Sequence, residues 1–203
     1  YTARAFVDSF NYVAESNETN NQATSAYTIA SAASGPAGYW NFNENTGLVA
    51  NDTSGNGRTG TLTNGPVWVT GRCGSGLSFD GTDDYVAVPS TFGFGNTNIT
   101  AEAWVNLSTI TKQGAFVKIG GNNGIGIGVG GTTLDNGGNN LIVLYENVRW
   151  INTGRPIGTD WHHVAVVVDS TGAATSFIDV VGIGAPLGTK ANPPTGNSFI
   201  GGY

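Results

Sequence analysis

The sequence predicts an all-β protein, an antiparallel β-sandwich made of short strands. Glycine accounts for 32 of the 203 residues, about twice the share that is usual in globular domains. Only 11% of the residues are charged, so the side chains that favour long helices are scarce. Short apolar runs alternate with Gly, Asn, Asp and Thr, and no apolar stripe at helical spacing persists along the chain.

The charge balance and the apolar content exclude several classes of protein. The formal net charge is −6 and the 8 Lys and Arg residues are scattered, so no basic surface for nucleic acid or for an anionic membrane is expected. No apolar run approaches the roughly 20 residues of a membrane helix. Cys73 is the single cysteine, so an internal disulfide is excluded. The chain begins with Tyr1 and not with Met, which indicates processing or excision from a longer polypeptide.

Residues 1–34 are predicted to form a separate β segment with a linker. Alternating apolar and polar residues indicate a strand at residues 1–8, a second around residues 12–13 and a third near residues 26–30. Two or three strands do not bury a core by themselves. The polar stretch at residues 15–21, Glu-Ser-Asn-Glu-Thr-Asn-Asn, resembles the end of a CARDB domain, an immunoglobulin-like module of bacterial cell surfaces.

Residues 35–203 are predicted to form one antiparallel sandwich. The small residues at 31–36, Ser-Ala-Ala-Ser-Gly-Pro, are typical of a linker in front of it. Many short strands separated by turn signals indicate a sandwich and not a helical fold. The predicted strands are residues 39–42, 67–69, 77–79, 85–88, 99–107, 115–119, 125–129, 141–145, 161–168, 175–178 and 198–200.

Five motifs follow one another in the order known from one protein family. They are Gly-Tyr-Trp-Asn-Phe-Asn-Glu-Asn-Thr-Gly at residues 38–47, Asn-Asp-Thr-Ser-Gly-Asn-Gly at 51–57, Leu-Ser-Phe-Asp-Gly-Thr-Asp-Asp-Tyr-Val at 77–86, Ile-Thr-Ala-Glu-Ala-Trp-Val at 99–105 and Trp-His-His-Val-Ala at 161–165. With these motifs the chain resembles the laminin-G-like, concanavalin A-like jelly roll of bacterial extracellular proteins. The resemblance implies two packed antiparallel sheets, a structural calcium ion, an extracellular or cell-surface location, and a role in glycan binding or adhesion.

The chain departs from the family pattern in two places. Family members usually have Asp-Gly in the late hairpin, where this chain has Asp179 and Val180; valine resists the positive φ of a tight type I′ turn, so another turn or a longer loop is expected. The family pattern continues past residues 197–202 into a final strand with an Asp-Glu pair, whereas this chain ends at Tyr203. We therefore expect either a cut-down chain of a longer adhesin or a subunit that exchanges strands with its neighbours.

Two loops rich in Asp and Asn are the predicted metal sites. Calcium binds six to eight oxygen atoms from carboxylates, amides and loop carbonyls, and residues 51–57 and 80–84 offer such oxygens. The alternative is Asx-turn chemistry, in which Asp and Asn side chains bond to their own backbone. The predicted calcium ligands are Asp52 and Asn56 first, followed by Asp80, Asp83 and Asp84.

No catalytic site is predicted. Glycoside hydrolysis uses a pair of carboxylates, and the strand that would present them carries only Glu102. His162 and His163 are adjacent on a strand and therefore point to opposite faces, so they do not hold one metal ion together. The alternating glycines at residues 124–131 indicate a strand with one bare face lying close to another backbone, and not a nucleotide-binding loop.

Aromatic residues provide the predicted ligand-binding site. Tyr145 and Trp150 flank a polar hairpin tip that contains Asn147 and Arg149. A sugar ring stacks its C–H face on an aromatic ring, while amide and guanidinium groups bind its hydroxyls. Partly buried structural aromatics would give the same pattern, so both interpretations stay open.

The whole sequence predicts a non-catalytic extracellular module for adhesion or surface architecture, with glycan binding as a further role. Trp104 and Trp161 lie within apolar strands and are predicted to be core residues. One alternative function is a subunit of an extracellular filament or sheath assembled by strand exchange, and the other is a carbohydrate-binding appendage of a secreted glycoside hydrolase. The expected partners are a glycan or an extracellular protein, or a second copy through strand exchange, and neither nucleic acid nor the membrane interior.

Overall fold

The regular structure consists of β-strands, which confirms the predicted fold class. The chain divides into two compact units, Tyr1–Pro36 and Ala37–Tyr203, so the division falls at the end of the predicted linker. No helix within the described residues is long and apolar enough to cross a membrane. The computed structural model describes residues 2–6, 22–26, 35–88, 92–109, 114–130, 139–145, 149–179, 181–183 and 192–202.

The first unit contains an antiparallel hairpin. Its strands are β1 (Thr2–Phe6) and β2 (Gln22–Ala26). Strand β1 lies within the strand predicted at residues 1–8. Strand β2 ends at Ala26, the first residue of the strand predicted at residues 26–30. The strand predicted around residues 12–13 lies outside the described residues. The likeness of this unit to a CARDB domain stays a prediction.

The strands of the second unit form an antiparallel sandwich of two unequal sheets. Alternating side chains and turns rich in glycine produce short strands, as the sequence predicts. In the described part of this unit the strands are β3 (Val49–Ala50), β4 (Gly60–Thr63), β5 (Val67–Thr70), β6 (Ser75–Ser78), β7 (Tyr85–Val88), β8 (Ile99–Asn106), β9 (Gly114–Ile119), β10 (Ile125–Val129), β11 (Asn140–Tyr145), β12 (Arg149–Pro156), β13 (Trp161–Val168), β14 (Ala174–Ile178), β15 (Val181–Ile183) and β16 (Ser198–Ile200).

The two sheets differ in size by a factor of two. The larger sheet has eight strands in the order β12-β11-β10-β9-β16-β7-β4-β3, and the smaller has four in the order β15-β14-β13-β8. Strands β5 and β6 form a separate hairpin. Strand β8 therefore lies at an edge of the smaller sheet, where among the described strands it pairs with β13 alone.

The main core lies between the two sheets. Every second residue of the central strands points into it, which is why apolar residues alternate there. Each Val, Leu or Ile side chain in it stabilises the fold by about 1.5–3 kcal/mol when it is fully buried. The buried residues of the main core are Ile99, Ala101, Ile119, Ile125, Ile127, Val129, Leu141, Val143, Ile157, Val164, Val166, Val168, Ala174 and Ile178.

A smaller, minor core lies against β4 and β7 of the larger sheet. Its buried residues are Ala50, Leu62 and Val86. The β5–β6 hairpin contributes Trp68 and Leu77 to its cover. The other partly buried residues packed on it are Trp40, Phe42, Phe79 and Ile200.

One predicted strand is not formed, and of the two alternatives predicted for the late hairpin the longer loop is excluded. Residues 39–42 do not form a strand, because the Tyr39 N–H donates to the Asp52 carboxylate at 3.0 Å and Phe42 has a φ of 54°. The late hairpin needs no longer loop, because Ile178 pairs directly with Val181. The turn instead places Asp179 at a φ of 49°, a conformation that Asp tolerates.

Candidate functional site

The outer face of the smaller sheet carries two exposed tryptophans. Residues Ala101 and Ala103 of β8 point towards the main core, so Trp104 points to the opposite side. Trp104 is 52% exposed, and Trp161 of β13 is 37% exposed. The prediction that both belong to the core is therefore wrong. A large apolar side chain is usually expected in the core, but the alternation of side chains along β8 places Trp104 on the outer face.

Polar and charged side chains surround Trp104 on this face. His163 lies directly opposite it on β13, with ring centroids 5.3 Å apart and planes tilted by 53°. The His163 Nε2 atom lies 3.7 Å from the Glu102 Oε2 atom. The Arg72 guanidinium carbon lies 5.1 Å from the centre of the Trp104 ring. We call Arg72, Glu102, Trp104, Trp161 and His163 the Trp104 platform.

Asp179 fixes the neighbouring part of β13. Its carboxylate lies 2.7 Å from Nδ1 of His162 and accepts the backbone N–H of His163 at 2.9 Å. The hydrogen bond from the His162 side chain, followed by the one from the His163 backbone, lowers the pKa of the Asp179 carboxyl. His162 is opposite Val105, which packs on the main core, whereas His163 is opposite Trp104. The two histidines thus lie on opposite faces, as expected.

The first predicted calcium loop has the geometry of an Asx turn. The Asp52 carboxylate accepts backbone N–H groups of Tyr39 at 3.0 Å, Ser54 at 2.9 Å and Arg58 at 2.8 Å. The Asn56 amide donates to the Ser54 hydroxyl at 3.1 Å. Both carboxylate oxygens of Asp52 therefore already accept hydrogen bonds from backbone N–H groups, which favours an Asx turn over a calcium site in this loop.

The second predicted calcium loop brings three carboxylates together. One oxygen from each of Asp80, Asp83 and Asp84 lies within 4.8 Å of the others, and Asp84 is 5% exposed. Some of these oxygens also bind backbone groups, since Asp80 accepts from Thr82 at 2.7 Å and Asp84 accepts from Asp80 at 3.0 Å. Three hard oxygen donors fit calcium better than a softer metal. Calcium at this loop stays a prediction.

The predicted ligand-binding hairpin joins β11 and β12. Tyr145 pairs with Arg149 across it, whereas Asn147 and the side chains of Tyr145 and Arg149 lie outside the described structure. Trp150 is half-buried, and its ring would lie 3.2 Å from a Cβ atom placed on Gly126 of β10. Trp150 thus packs on the bare glycine face, which favours a structural role for it. Ligand binding by this hairpin stays a prediction.

Comparison with known proteins identifies the family of this sandwich. A sequence profile of the concanavalin A-like lectin/glucanases superfamily matches residues 80–203. The chain belongs to this superfamily. It is therefore a lectin/glucanase-like β-sandwich domain, and the carbohydrate-binding type of fold that its sequence motifs imply is confirmed. No curated protein matches the chain.

Two solved structures share the fold of this lectin/glucanase-like domain. One is domain 4 of AbnA, a GH43 extracellular arabinanase from Geobacillus stearothermophilus, in complex with arabinotriose. It is 19% identical with a TM-score of 0.55, and the match covers 82% of this chain and 91% of that domain. The other is Trypanosoma rangeli sialidase, 17% identical with a TM-score of 0.57. That match covers 79% of this chain but only 26% of the sialidase.

The sequence did not predict that Trp104 and Arg72 lie together on an exposed surface of this superfamily member. The available signal was the phase of β8, in which the small residues Ala101 and Ala103 occupy the inward positions and leave Trp104 outside. No local signal predicts Arg72, because it reaches Trp104 from the β5–β6 turn. Contacts between elements that are distant in sequence follow from the fold and not from a motif.

Proposed function

We propose that this chain is a non-catalytic module that binds carbohydrate on the Trp104 platform. The observation that carries the proposal is the 52% exposure of Trp104 on a sheet face of a lectin/glucanase-like domain. An indole ring offers a flat apolar surface for the C–H groups of a sugar. Glu102, His163 and Arg72 beside it supply hydrogen-bond acceptors and donors for hydroxyl groups.

The arrangement of the two tryptophans supports binding of more than one sugar ring. Trp161 pairs with Asn106, two residues after Trp104, so the two tryptophans are diagonal neighbours on adjacent strands. Cβ atoms of such neighbours lie about 7–8 Å apart. Single exposed apolar side chains are common on protein surfaces, whereas two tryptophans and a histidine on one sheet face form an extended aromatic surface.

The carboxylates of β8 support a binding role and not a catalytic one. The outward positions of this strand are Thr100, Glu102, Trp104 and Asn106, so the strand presents one carboxylate to this face. Glycoside hydrolysis by the usual mechanisms needs two carboxylates on either side of the scissile bond. We therefore expect the chain to bind glycans without releasing products from them.

Replacement of Trp104 tests the proposed function. The wild-type chain is screened on a glycan array, and the affinity of each bound glycan is measured by isothermal titration calorimetry. Trp104→Ala should weaken binding by about tenfold or more, because stacking on an aromatic ring contributes on the order of 1–3 kcal/mol. Tyr39→Ala is the matched control, since Tyr39 is 53% exposed and lies outside the platform.

Two results would contradict the proposal. Unchanged affinity of Trp104→Ala, with binding lost in Trp150→Ala instead, would place the glycan at the β11–β12 hairpin. Absence of binding to every glycan on the array would remove carbohydrate recognition altogether. The thermal unfolding temperature of each variant shows whether a loss of affinity reflects a loss of folded protein.

The fold of the arabinanase domain supports a more specific role as an appendage of a secreted glycoside hydrolase. The match covers 91% of that domain, whose structure holds arabinotriose, so arabinotriose is the first ligand to test. An extracellular or cell-surface location follows from this role. Adhesion and surface architecture remain alternatives, and the position of β8 at the edge of its sheet among the described strands supports assembly by strand addition.

A further inference from the structure

Arg72 occupies an unusual position at the tip of the β5–β6 hairpin. Its turn is closed by a hydrogen bond from the Gly71 N–H to the Gly74 carbonyl at 2.9 Å, and its side chain is exposed. The guanidinium lies over the ring of Trp104 at 5.1 Å. No salt bridge to Arg72 occurs among the described residues, in which the ion pairs involve His162 and His163.

Stacking on an indole ring prepares a guanidinium to bind an anion. The contact holds the planar group in place by cation–π attraction and leaves its N–H donors pointing outward around its edge. The same donors form two parallel, charge-assisted hydrogen bonds with a carboxylate, which are roughly twice as strong as hydrogen bonds to neutral groups such as sugar hydroxyls. Because an arginine is charged at every ordinary pH, Arg72 offers a permanent positive charge next to the sugar-stacking surface.

We propose that the Trp104 platform selects glycans that carry a carboxylate, and that Arg72 binds this group. The inference rests on the proposed function, because it names the class of glycan that the same site binds. The carboxylate belongs either to a uronic acid or to a sialic acid, which share this chemistry. Trp104 stays 52% exposed with Arg72 over it, so a sugar ring stacked on the uncovered part of the indole would lie beside the guanidinium and could present its carboxylate to the N–H donors.

Glu102 is a negatively charged neighbour of Trp104, and its removal should change the affinity for an acidic ligand in the opposite sense to removal of Arg72. The Glu102 side chain is 63% exposed and lies 3.7 Å from Nε2 of His163, on the same face of β8 as Trp104. A carboxylate ligand meets repulsion from Glu102 and attraction from Arg72. Among the acidic groups next to this strand pair, Asp179 is hydrogen-bonded to His162 at 2.7 Å and so contributes less. Removing the Glu102 charge should therefore raise the affinity for acidic glycans, and removing the Arg72 charge should lower it.

The experiment compares ligands that differ only in the carboxylate. Tetragalacturonate is compared with its methyl ester, and sialyllactose with its methyl ester, by isothermal titration calorimetry at low ionic strength. We expect at least one acidic ligand to bind about tenfold more tightly than its neutral counterpart, as charge-assisted hydrogen bonds allow. The pair that shows the difference identifies the source of the carboxylate.

Three variants then assign the preference to Arg72. Arg72→Gln should abolish the tenfold ratio between the affinities for the acidic and the neutral ligand, because any hydroxyl contact that Arg72 makes is lost from both ligands alike. Arg72→Lys keeps the charge but lacks the planar fork, so it should recover only part of the difference. Glu102→Gln should strengthen binding of the acidic ligand by about threefold, without the same effect on the neutral one.

The outcomes separate this inference from the proposed function. Equal binding of acidic and neutral ligands by the wild type, unchanged in Arg72→Gln, would overturn the carboxylate preference and leave glycan binding by Trp104 standing. A preference for acidic ligands that survives Arg72→Gln would overturn the role of Arg72. If no glycan of either kind binds, the proposed function fails together with the inference.

Discussion

Asp52 organises the loop that precedes the minor core. Its carboxylate connects residues that lie before and after it in the sequence, since it accepts hydrogen bonds from the backbone N–H groups of Tyr39, Ser54 and Arg58. Burial raises the pKa of this carboxyl, but the hydrogen bonds from Ser54, Tyr39 and Arg58 together outweigh burial and lower the pKa to about 2. The ionised form of Asp52 is therefore the one that the folded protein stabilises.

Replacement of Asp52 by asparagine should reduce stability in a pH-dependent way. Since the folded-state pKa of about 2 lies below the ordinary 3.8, the stabilisation is fully present above about pH 4 and is lost as the pH falls towards 2. With solvent screening included, Asp52→Asn should cost about 1–2 kcal/mol at pH 7. Urea unfolding between pH 2 and pH 7 measures the free energy of unfolding.

The difference between wild type and Asp52→Asn should shrink as the pH falls through this window. Asp160→Asn serves as control, because Asp160 is an exposed carboxylate at the other end of the chain. A constant difference from pH 7 to pH 2 would show that the hydrogen-bond geometry of the side chain, and not its charge, stabilises the loop.

Strand β10 shows what alternating glycines do in a packed sheet. A Cβ atom on Gly128 would press against the Gly114 carbonyl oxygen and lie 3.1 Å from the Ala115 Cα atom. The pairing of β10 with β9 shifts register at this point, between Ile127 and Gly128. The close backbone approach expected from the sequence therefore comes from the neighbouring strand of the same sheet.

Substitution of Gly128 by alanine should destabilise the protein by about 1–3 kcal/mol, because backbone atoms cannot move aside as a flexible side chain can. The free energy of unfolding in urea measures the effect. Gly95→Ala is the matched control, since a Cβ atom placed on Gly95 would meet no other atom within 4 Å, and it should change stability little. Equal stability of the two variants would mean that β9 and β10 separate more easily than their pairing indicates.

The predictability of a strand from sequence depended on whether its apolar pattern is interrupted by residues typical of turns. Strand β10 alternates apolar residues with glycine and β13 ends in a continuous apolar run, and both were predicted with the bounds observed. Strand β12 was missed because it contains Gly154 at a φ of 71° and ends at Pro156, residues that are typical of turns. The contact between Arg72 and Trp104 depends on how the hairpin lies beside β8, which no local pattern encodes.

The second unit contains both hydrophobic cores and the proposed glycan-binding surface. The main core, the minor core and the Trp104 platform all consist of residues from Ala37–Tyr203. We therefore expect the second unit to fold, and to carry out the proposed function, without residues 1–36.

Deletion of residues 1–36 should leave the second unit folded and active. We expect the unfolding temperature to change by less than about 3 °C, which corresponds to roughly 1 kcal/mol for a unit of this size. Affinity for the glycan identified on the array should be unchanged. Scanning calorimetry and titration calorimetry of the shortened chain measure both quantities, and a loss of the unfolding transition would show that the first unit stabilises the sandwich.

The Trp104 platform is divided between the smaller sheet and the separate β5–β6 hairpin. Trp104, Trp161 and His163 belong to strands that close the main core, whereas Arg72 belongs to the hairpin that covers the minor core. Regions with few buried apolar contacts open first in local unfolding. If the β5–β6 hairpin opened before the smaller sheet, the stacking surface would remain while Arg72 moved away from it. On the proposed function, affinity for a sugar ring and selectivity for its charge would then depend on two separate opening equilibria.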